Sequence, residues 1–314
     1  MLKILLNAGN SSEIAYDLIL ITLLITYVKI AVTWRQSAGV RSISTSEASQ
    51  RLDAENLIYA YLVGFIEGDG YFTVTKNGLY VKYELGIELS IKDVELLYKI
   101  KKLLGVGVIS FRKRDNGSEM VLFRIKNKDH LKKYILPIFD LYPMLSNKQY
   151  DYLFFRKSLL SNIIYSNDLP EYNRIIEPSL NNVDSILNAH YFEAWLVGFI
   201  EGEGCFSIYN TAKNKSLESS IYLTASFEIS QTNGNVIISA IVKYLSFKTA
   251  IYIDKTNSSK LKVTGIRSIE NIIKFLDKAP VKLMGNKKLQ YLLWIKALRQ
   301  IKRYSDKINI PSNY

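Results

Sequence analysis

Two ten-residue stretches of this 314-residue chain are nearly the same. Tyr61–Gly70 reads YLVGFIEGDG and Trp195–Gly204 reads WLVGFIEGEG, identical at eight positions and 134 residues apart. That is too much agreement for chance, so the chain must fold as two copies of one unit. A second echo closes each copy, where Asn147-Lys148 in SNKQYDYLFF matches Asn286-Lys287 in GNKKLQYLLW. The spacing there is 139, and the polar stretch TAKNKSLESS (Thr211–Ser220) accounts for the extra residues as a longer hairpin loop.

Both copies carry the same order of patterns. After the first motif, Tyr71–Lys76 and Tyr80–Ile91 are rich in β-formers around Asn77-Gly78, a strong hairpin signal. Val94–Leu104 has apolar residues at helical spacing, Val106–Arg114 and Glu119–Lys126 form a second hairpin, and His130–Leu141 and Lys148–Leu160 read as helices. The second copy predicts strands near 205–210, 221–230, 248–255 and 260–266, with helices near 235–245, 269–277 and 286–303. The expected fold is α+β, two pseudo-symmetric αββαββα subdomains at 55–160 and 186–314, joined by a linker at 161–185. One chain supplies both halves, so the expected unit is a monomer.

Charge and alternation indicate the partner. The net charge is +12, and residues 1–54 contribute five cations against four acids, so nearly all of it lies in the repeats. In Tyr80–Ser90, Val81, Tyr83, Leu85, Ile87 and Leu89 point one way, while Lys82, Glu84 and Glu88 point the other. Arg112 and Arg114 alternate with Phe111 and Lys113, and Arg124 and Lys126 with Phe123 and Ile125. Each sheet is expected to show helices an apolar face and to leave a cation-bearing face. On two related sheets with this charge, Lys82, Arg112, Arg114, Arg124 and Lys126 are candidate nucleic-acid contacts.

The motif carries the chemistry. Gly64 and Gly68, like Gly198 and Gly202, are four residues apart on one helical face, where glycines allow backbone-to-backbone packing of two helices. Each interior glycine costs a helix about 1 kcal/mol relative to alanine, and packing the two motif helices together offsets it. Gly70 and Gly204 are suited to stop the helices, and Asp69 and Glu203 would emerge side by side just before them. Two acids at the negative ends of two helix dipoles repel, and a divalent cation relieves the repulsion. One cysteine, Cys205, and two histidines, His130 and His190, exclude a Cys/His zinc site. Oxygen ligands point to Mg2+ or another hard ion, which suits phosphodiester hydrolysis.

These paired motifs resemble the signature of the LAGLIDADG homing endonucleases, in the form with both motifs on one chain. Segments such as YELGIELSIKD (83–93), ISAIVKYLSF (238–247) and GNKKLQYLLW (285–294) resemble in particular members encoded in group I introns of fungal mitochondrial cytochrome b genes. The resemblance implies saddle-shaped antiparallel sheets on the DNA major groove and cleavage of both strands of a long double-stranded site. It also implies a mitochondrial location and a second role as a maturase that helps splice its own intron RNA. A maturase that no longer cuts is the alternative. Carried over by residue, Asp69 and Glu203 are the metal-binding acids, with the carbonyls of Gly68 and Gly202 as further ligands. Lys148 and Lys287 fall where the family places basic residues that neutralise transition-state charge or polarise the attacking water. Gln231 is the polar active-site position of the second half, and its first-half counterpart is Ile91, so the two sites are not expected to be equivalent.

The N-terminal segment, 1–54, reads separately. Leu18–Trp34 is apolar but for Lys29 and is at the short limit for a membrane span. A membrane-inserted or processed leader, a remnant of upstream coding sequence and a buried helix all remain open readings. Gln36–Gln50 (QSAGVRSISTSEASQ) reads as a Ser-rich linker.

Overall fold

A computed structural model describes residues 45–173, 181–212 and 221–311. The chain divides into two units, Met1–Leu52 and Asp53–Tyr314, and both repeats lie in the second. The apolar stretch Leu18–Trp34 lies outside the described residues, among which no helix is long and apolar enough to cross a membrane.

The first motif lies in helix α1 (Thr45–Asp69), which begins inside the segment read as linker, where Glu47 and Ala48 are good helix formers. The first subdomain continues as β1 (Gly70–Asn77), β2 (Tyr80–Ser90), α2 (Val94–Leu104), β3 (Val108–Lys113) and β4 (Glu119–Ile125). Then come α3 (Leu136–Leu141) and α4 (Gln149–Leu160). After a short α5 (Val183–Leu187), the second copy runs α6 (Phe192–Glu203), β5 (Cys205–Ala212), β6 (Ile221–Thr232), α7 (Asn235–Tyr244), β7 (Tyr252–Ile253) and β8 (Ser258–Val263). It closes with α8 (Ile266–Lys278), α9 (Asn286–Gln300) and α10 (Lys302–Ser305). Two four-stranded antiparallel sheets result, ordered β1-β2-β4-β3 and β5-β6-β8-β7. The α+β fold with a repeated antiparallel unit is the one expected.

Local chemistry explains the boundaries. The first hairpin reverses at Gly78-Leu79, one residue later than expected, because Asn77 pairs with Tyr80 and Gly78 takes φ +60° as the first central residue of the turn. Helix α2 stops at Gly105, whose φ of 69° is left-handed and whose N–H donates to the Lys101 carbonyl. Leu131–Ile135 forms a π-type turn before α3, where Pro137 lacks the N–H that a regular ladder needs. Strand β7 is only two residues long, against the eight expected. It is an edge strand with both residues exposed, so no burial sustains pairing. Of the expected long loop, Thr211 and Ala212 extend β5 and 213–220 lie outside the described residues.

Alternation sorts the faces. Val81, Tyr83, Leu85, Ile87 and Leu89 are buried against the helices, with Val121, Phe123 and Ile125 of β4 beside them. Ala225, Phe227 and Ile229 of β6 do the same for the second sheet, under Ile237, Ile241, Ile272 and Ile295. The expectation fails at β3. Phe111, expected on the helix-covered face, is 58% exposed, and β3, an edge strand, has no fully buried residue. The segment after α4 folds back on β2, with the Val81 N–H donating to the Ile164 carbonyl and Tyr80 stacked on Tyr165.

Candidate active site and nucleic-acid interface

The motif helices α1 and α6 meet backbone to backbone at their glycines. A Cβ placed on Gly64 would lie 2.0 Å from the Trp195 carbonyl oxygen, and one on Gly198 would lie 1.9 Å from that of Tyr61. Lower down, a Cβ on Gly68 would stand 3.2 Å from the Gly202 Cα. Gly70 and Gly204 end the helices as expected, but not by a left-handed turn. Gly204 is extended (φ −72°, ψ 148°), and a side chain there would run into the Ile200 carbonyl at 2.6 Å. Gly70 is confined in the same way by Ile66, at 2.7 Å.

This packing brings the last residues of both helices, Asp69 and Glu203, to one place. Burial pushes the Asp69 carboxyl up, opposed by the Lys287 and Lys148 ammonium groups, and Asp93 pushes it further up. Burial and the neighbouring Asp69 push Glu203 up to about 7 against the same two lysines. The four expected residues therefore share one electrostatic site. Lys148 donates from Nζ to the carbonyls of Ile66, Gly68 and Gly70, at 3.2, 3.2 and 2.7 Å, and so caps the C-terminal end of α1. Lys287 donates to the Gly204 carbonyl at 2.5 Å. The two halves are alike in plan and unequal in detail.

Two buried acids fix those lysines in place. Glu67 accepts from the backbone N–H groups of Leu145 and Ser146, both at 2.7 Å, and from the Trp195 indole at 2.8 Å. Glu201 accepts from the N–H groups of Met284 and Gly285 and from the Tyr61 hydroxyl. Each motif helix thus pins the loop that leads into its own subdomain's lysine, and each acid also takes a hydrogen bond from the opposite motif helix. Burial raises both carboxyls although these hydrogen bonds oppose it.

Sequence reasoning missed Asp93. Its Oδ1 accepts from the Asn286 N–H at 2.7 Å, so the residue after β2 of the first half holds the start of α9 in the second. Asn233, its counterpart by the repeat, accepts at its carbonyl from the Asn147 side chain at 3.3 Å. The sequence offset that pairs Ile91 with Gln231 also pairs Asp93 with Asn233, which was the available signal. The strand register instead sets Leu89 of β2 at the place of Gln231, because Phe72 pairs with Leu85 as Phe206 pairs with Phe227. Gln231 lies on the helix-facing side of β6, opposite Ser259 in the register, two residues from that Asn233 crossing. The Gln231 Oε1 and the Ser259 Oγ are buried without a hydrogen-bond partner among the described residues, leaving polar capacity at this strand end.

Among the described residues no group of three or more His, Cys, Asp and Glu gathers as a metal cluster. Two converging carboxylates remain, and they fit Mg2+ chemistry, since that ion is commonly held by one or two carboxylates completed by substrate phosphate oxygens and water. Burial is the main cause of the upward shift on Glu203, and the further push from Asp69 is the repulsion such a cation relieves. The Gly68 carbonyl already accepts from Lys148, so it would share its second lone pair, whereas no hydrogen bond from a lysine reaches that of Gly202 among the described residues.

The candidate contact residues fall on one face of the first sheet, but most are paired within it. Glu88 accepts from both Arg112 and Arg114, Lys126 pairs with Glu84 at 3.0 Å, and Arg124 donates to the Ser110 hydroxyl. Lys82 is exposed with no ion pair among the described residues. On the second sheet Lys262 pairs with Glu228 and lies over the Tyr209 ring, and Lys260 pairs with Asp254.

Comparison with known proteins agrees with this arrangement. A probable intron-encoded endonuclease of Schizosaccharomyces pombe, Cox1-I1b, is 29% identical over 76% of this chain and 64% of its own length. An intron-encoded RNA maturase of Saccharomyces cerevisiae, bI4, is 28% identical over 49% of this chain and 20% of its own. The chain therefore spans less than two thirds of the length of these relatives. The crystal structure of I-SmaMI bound to an uncleaved DNA target with calcium ions superposes with a TM-score of 0.61 at 25% identity, covering 79% of this chain and 92% of that one. The family model for LAGLIDADG endonucleases matches twice, at residues 62–159 and 196–298, once on each subdomain, and by that double match the chain belongs to this family.

Proposed function

We propose that this chain is a site-specific endonuclease that cuts both strands of a long DNA duplex, and that it is encoded in a mitochondrial group I intron whose homing it drives. The observation that carries this reading is the convergence of Asp69 and Glu203 beneath two glycine-packed helices, between two sheets whose outer faces bear cations. When bound there, Mg2+ would supply charge neutralisation at the scissile phosphodiester and a more acidic water. The chain's own residues do the rest. Asp69 and Glu203 hold the negative charge that retains the ion, with the carbonyls of Gly68 and Gly202 beside them. Lys148 and Lys287 present positive charge to the same centre, where phosphate oxygens gain charge in the transition state. Gln231, where the strand register gives the first half the apolar Leu89, makes the two strand-cleaving sides chemically different.

A maturase role on the parent intron RNA is the second part of the proposal, supported by the likeness to the bI4 maturase. The segment resemblances favour a cytochrome b intron as the coding locus, and the Cox1-I1b likeness makes a cox1 intron the competing one. Incubating the purified monomer with duplexes spanning the intronless exon junction and Mg2+ tests the nuclease reading. Linear product is expected, absent with Asp69→Asn and in chelator. No cleavage by the unmutated protein at that junction would refute it.

A further inference from the structure

Arginine is unevenly divided between the two sheets. The region Gly70–Ile125 contains Arg112, Arg114 and Arg124, whereas Cys205–Gly265 contains none. The second sheet's outer face is built instead from hydroxyls and lysines, with Ser207 bonded to Ser226 and Thr211 to Thr224. A guanidinium presents a rigid planar fork of donors that matches the O6/N7 edge of guanine, whereas a lysine ammonium reaches that edge only as a flexible point charge and a hydroxyl offers a single donor.

Arg112 and Arg114 are also held in a particular way. Both use their Nε and Nη2 edges on a single oxygen, Glu88 Oε1, at 3.1 and 2.5 Å from Arg112 and at 3.3 and 2.8 Å from Arg114. Both side chains stay about half exposed (52% and 48%), while Glu88 between them is 18% exposed. Burial pushes the Glu88 carboxyl up, but the two guanidinium groups outweigh it, so the acid stays ionised across the neutral range. This leaves the Nη1 hydrogens and the second Nη2 hydrogen of both arginines, the end-on fork of each guanidinium, unused by the described protein. Arg112 is on β3 and Arg114 directly follows the strand's last residue, Lys113, so the two are two positions apart and their Cα atoms are about 7 Å apart for extended backbone. That matches about two base-pair steps when a strand runs along the groove.

Resting on the endonuclease reading above, we infer that Arg112 and Arg114 read two guanines about two base pairs apart in the half-site under the first sheet, with Glu88 as the positioning residue that aligns both forks. The target is therefore chemically asymmetric, and the half-site under the second sheet holds no arginine-read guanine. Glu88 acts by fixing rotamers, so removing it frees both arginines to reach phosphates and trades discrimination for non-specific affinity.

The test is selection of bound duplexes from a randomised library by the full chain in chelator, followed by sequencing. Two guanines at a spacing of about two base pairs are expected. Arg112→Ala and Arg114→Ala should each lower the preference at one position about tenfold and leave the other. Glu88→Ala should flatten both positions while binding random duplex at least as tightly, and Glu88→Gln, which keeps an acceptor oxygen, should restore the preference. These positions lie on the outer face of the sheet, so the variants fold. A selected site whose guanines are indifferent to all three truncations would overturn the assignment alone. Recovery of no duplex above background by the unmutated protein would overturn the endonuclease reading and this inference together.

Discussion

Alanine at Gly198 and alanine at Gly202 should behave differently, although the two glycines are one helical turn apart. At Gly198 the new methyl would lie 1.9 Å from the Tyr61 carbonyl oxygen and 2.8 Å from the Phe65 nitrogen. Ordinary contact begins near 3.4 Å, so the obstacle must retreat by about 1.5 Å, and because it is backbone the two helices must separate. Overpacking of this kind typically costs about 1–3 kcal/mol, and a rigid obstacle places Gly198→Ala at about 3 kcal/mol or more. At Gly202 the nearest atoms are the Gly68 Cα at 3.1 Å and the Asp69 nitrogen and Oδ2, both at 3.3 Å, an encroachment of a few tenths of an ångström. Much of that cost is offset by the gain of about 1 kcal/mol from replacing a helical glycine by alanine. With a urea slope of about 3 kcal/mol per M for a unit of this size, Gly198→Ala should lower the unfolding midpoint by about 1 M and Gly202→Ala by very little. Cleavage should separate the two again, since the Gly202→Ala methyl displaces the Asp69 carboxylate and lowers activity in a protein that remains folded. Urea unfolding followed by far-ultraviolet circular dichroism, with single-turnover cleavage on the same preparations, measures both. An unchanged midpoint for Gly198→Ala, or equal destabilisation by the two substitutions, would refute the helix-contact argument.

The same centre carries two further expected outcomes. The folded Glu203 carboxyl binds its proton up to about 7 against an ordinary 4.5, so between these values the folded state holds more protons than the unfolded one. In chelator, stability should therefore fall as pH rises from about 5 to 8. Glu203→Gln should flatten that slope, as denaturation at several pH values will show, and a slope unaltered by the substitution would remove the electrostatic case for a cation site. Glu67→Gln should destabilise by about 1–3 kcal/mol, because an amide cannot accept on both atoms from Leu145, Ser146 and Trp195 while fully buried. Its unfolding midpoint checks this, and cleavage should fall too because the Leu145–Ser146 loop leads into Lys148.

Much of the architecture was legible because repetition and period are properties of the chain itself. The eight identities between Tyr61–Gly70 and Trp195–Gly204 required a duplicated unit, the alternation in Tyr80–Ser90 sorted a buried face from a polar one, and glycines four apart required two helices in backbone contact. Those helices had to end where Asp69 and Glu203 stand. Tertiary structure decided what depends on groups distant in the chain. The capping of Gly204 by space rather than by a left-handed turn, the exposure of Phe111 and the shortness of β7 follow from which neighbours are present to cover or crowd each residue. The same holds for Asp93 reaching Asn286 across 193 residues, and for Glu88 gathering Arg112 and Arg114, since no local spacing encodes a contact between strands or between halves. Sequence alone determined which acids, lysines and arginines the molecule possesses and on which face each must lie. Only the fold decided their partners, because desolvation and charge pairing are set by what surrounds a group in space.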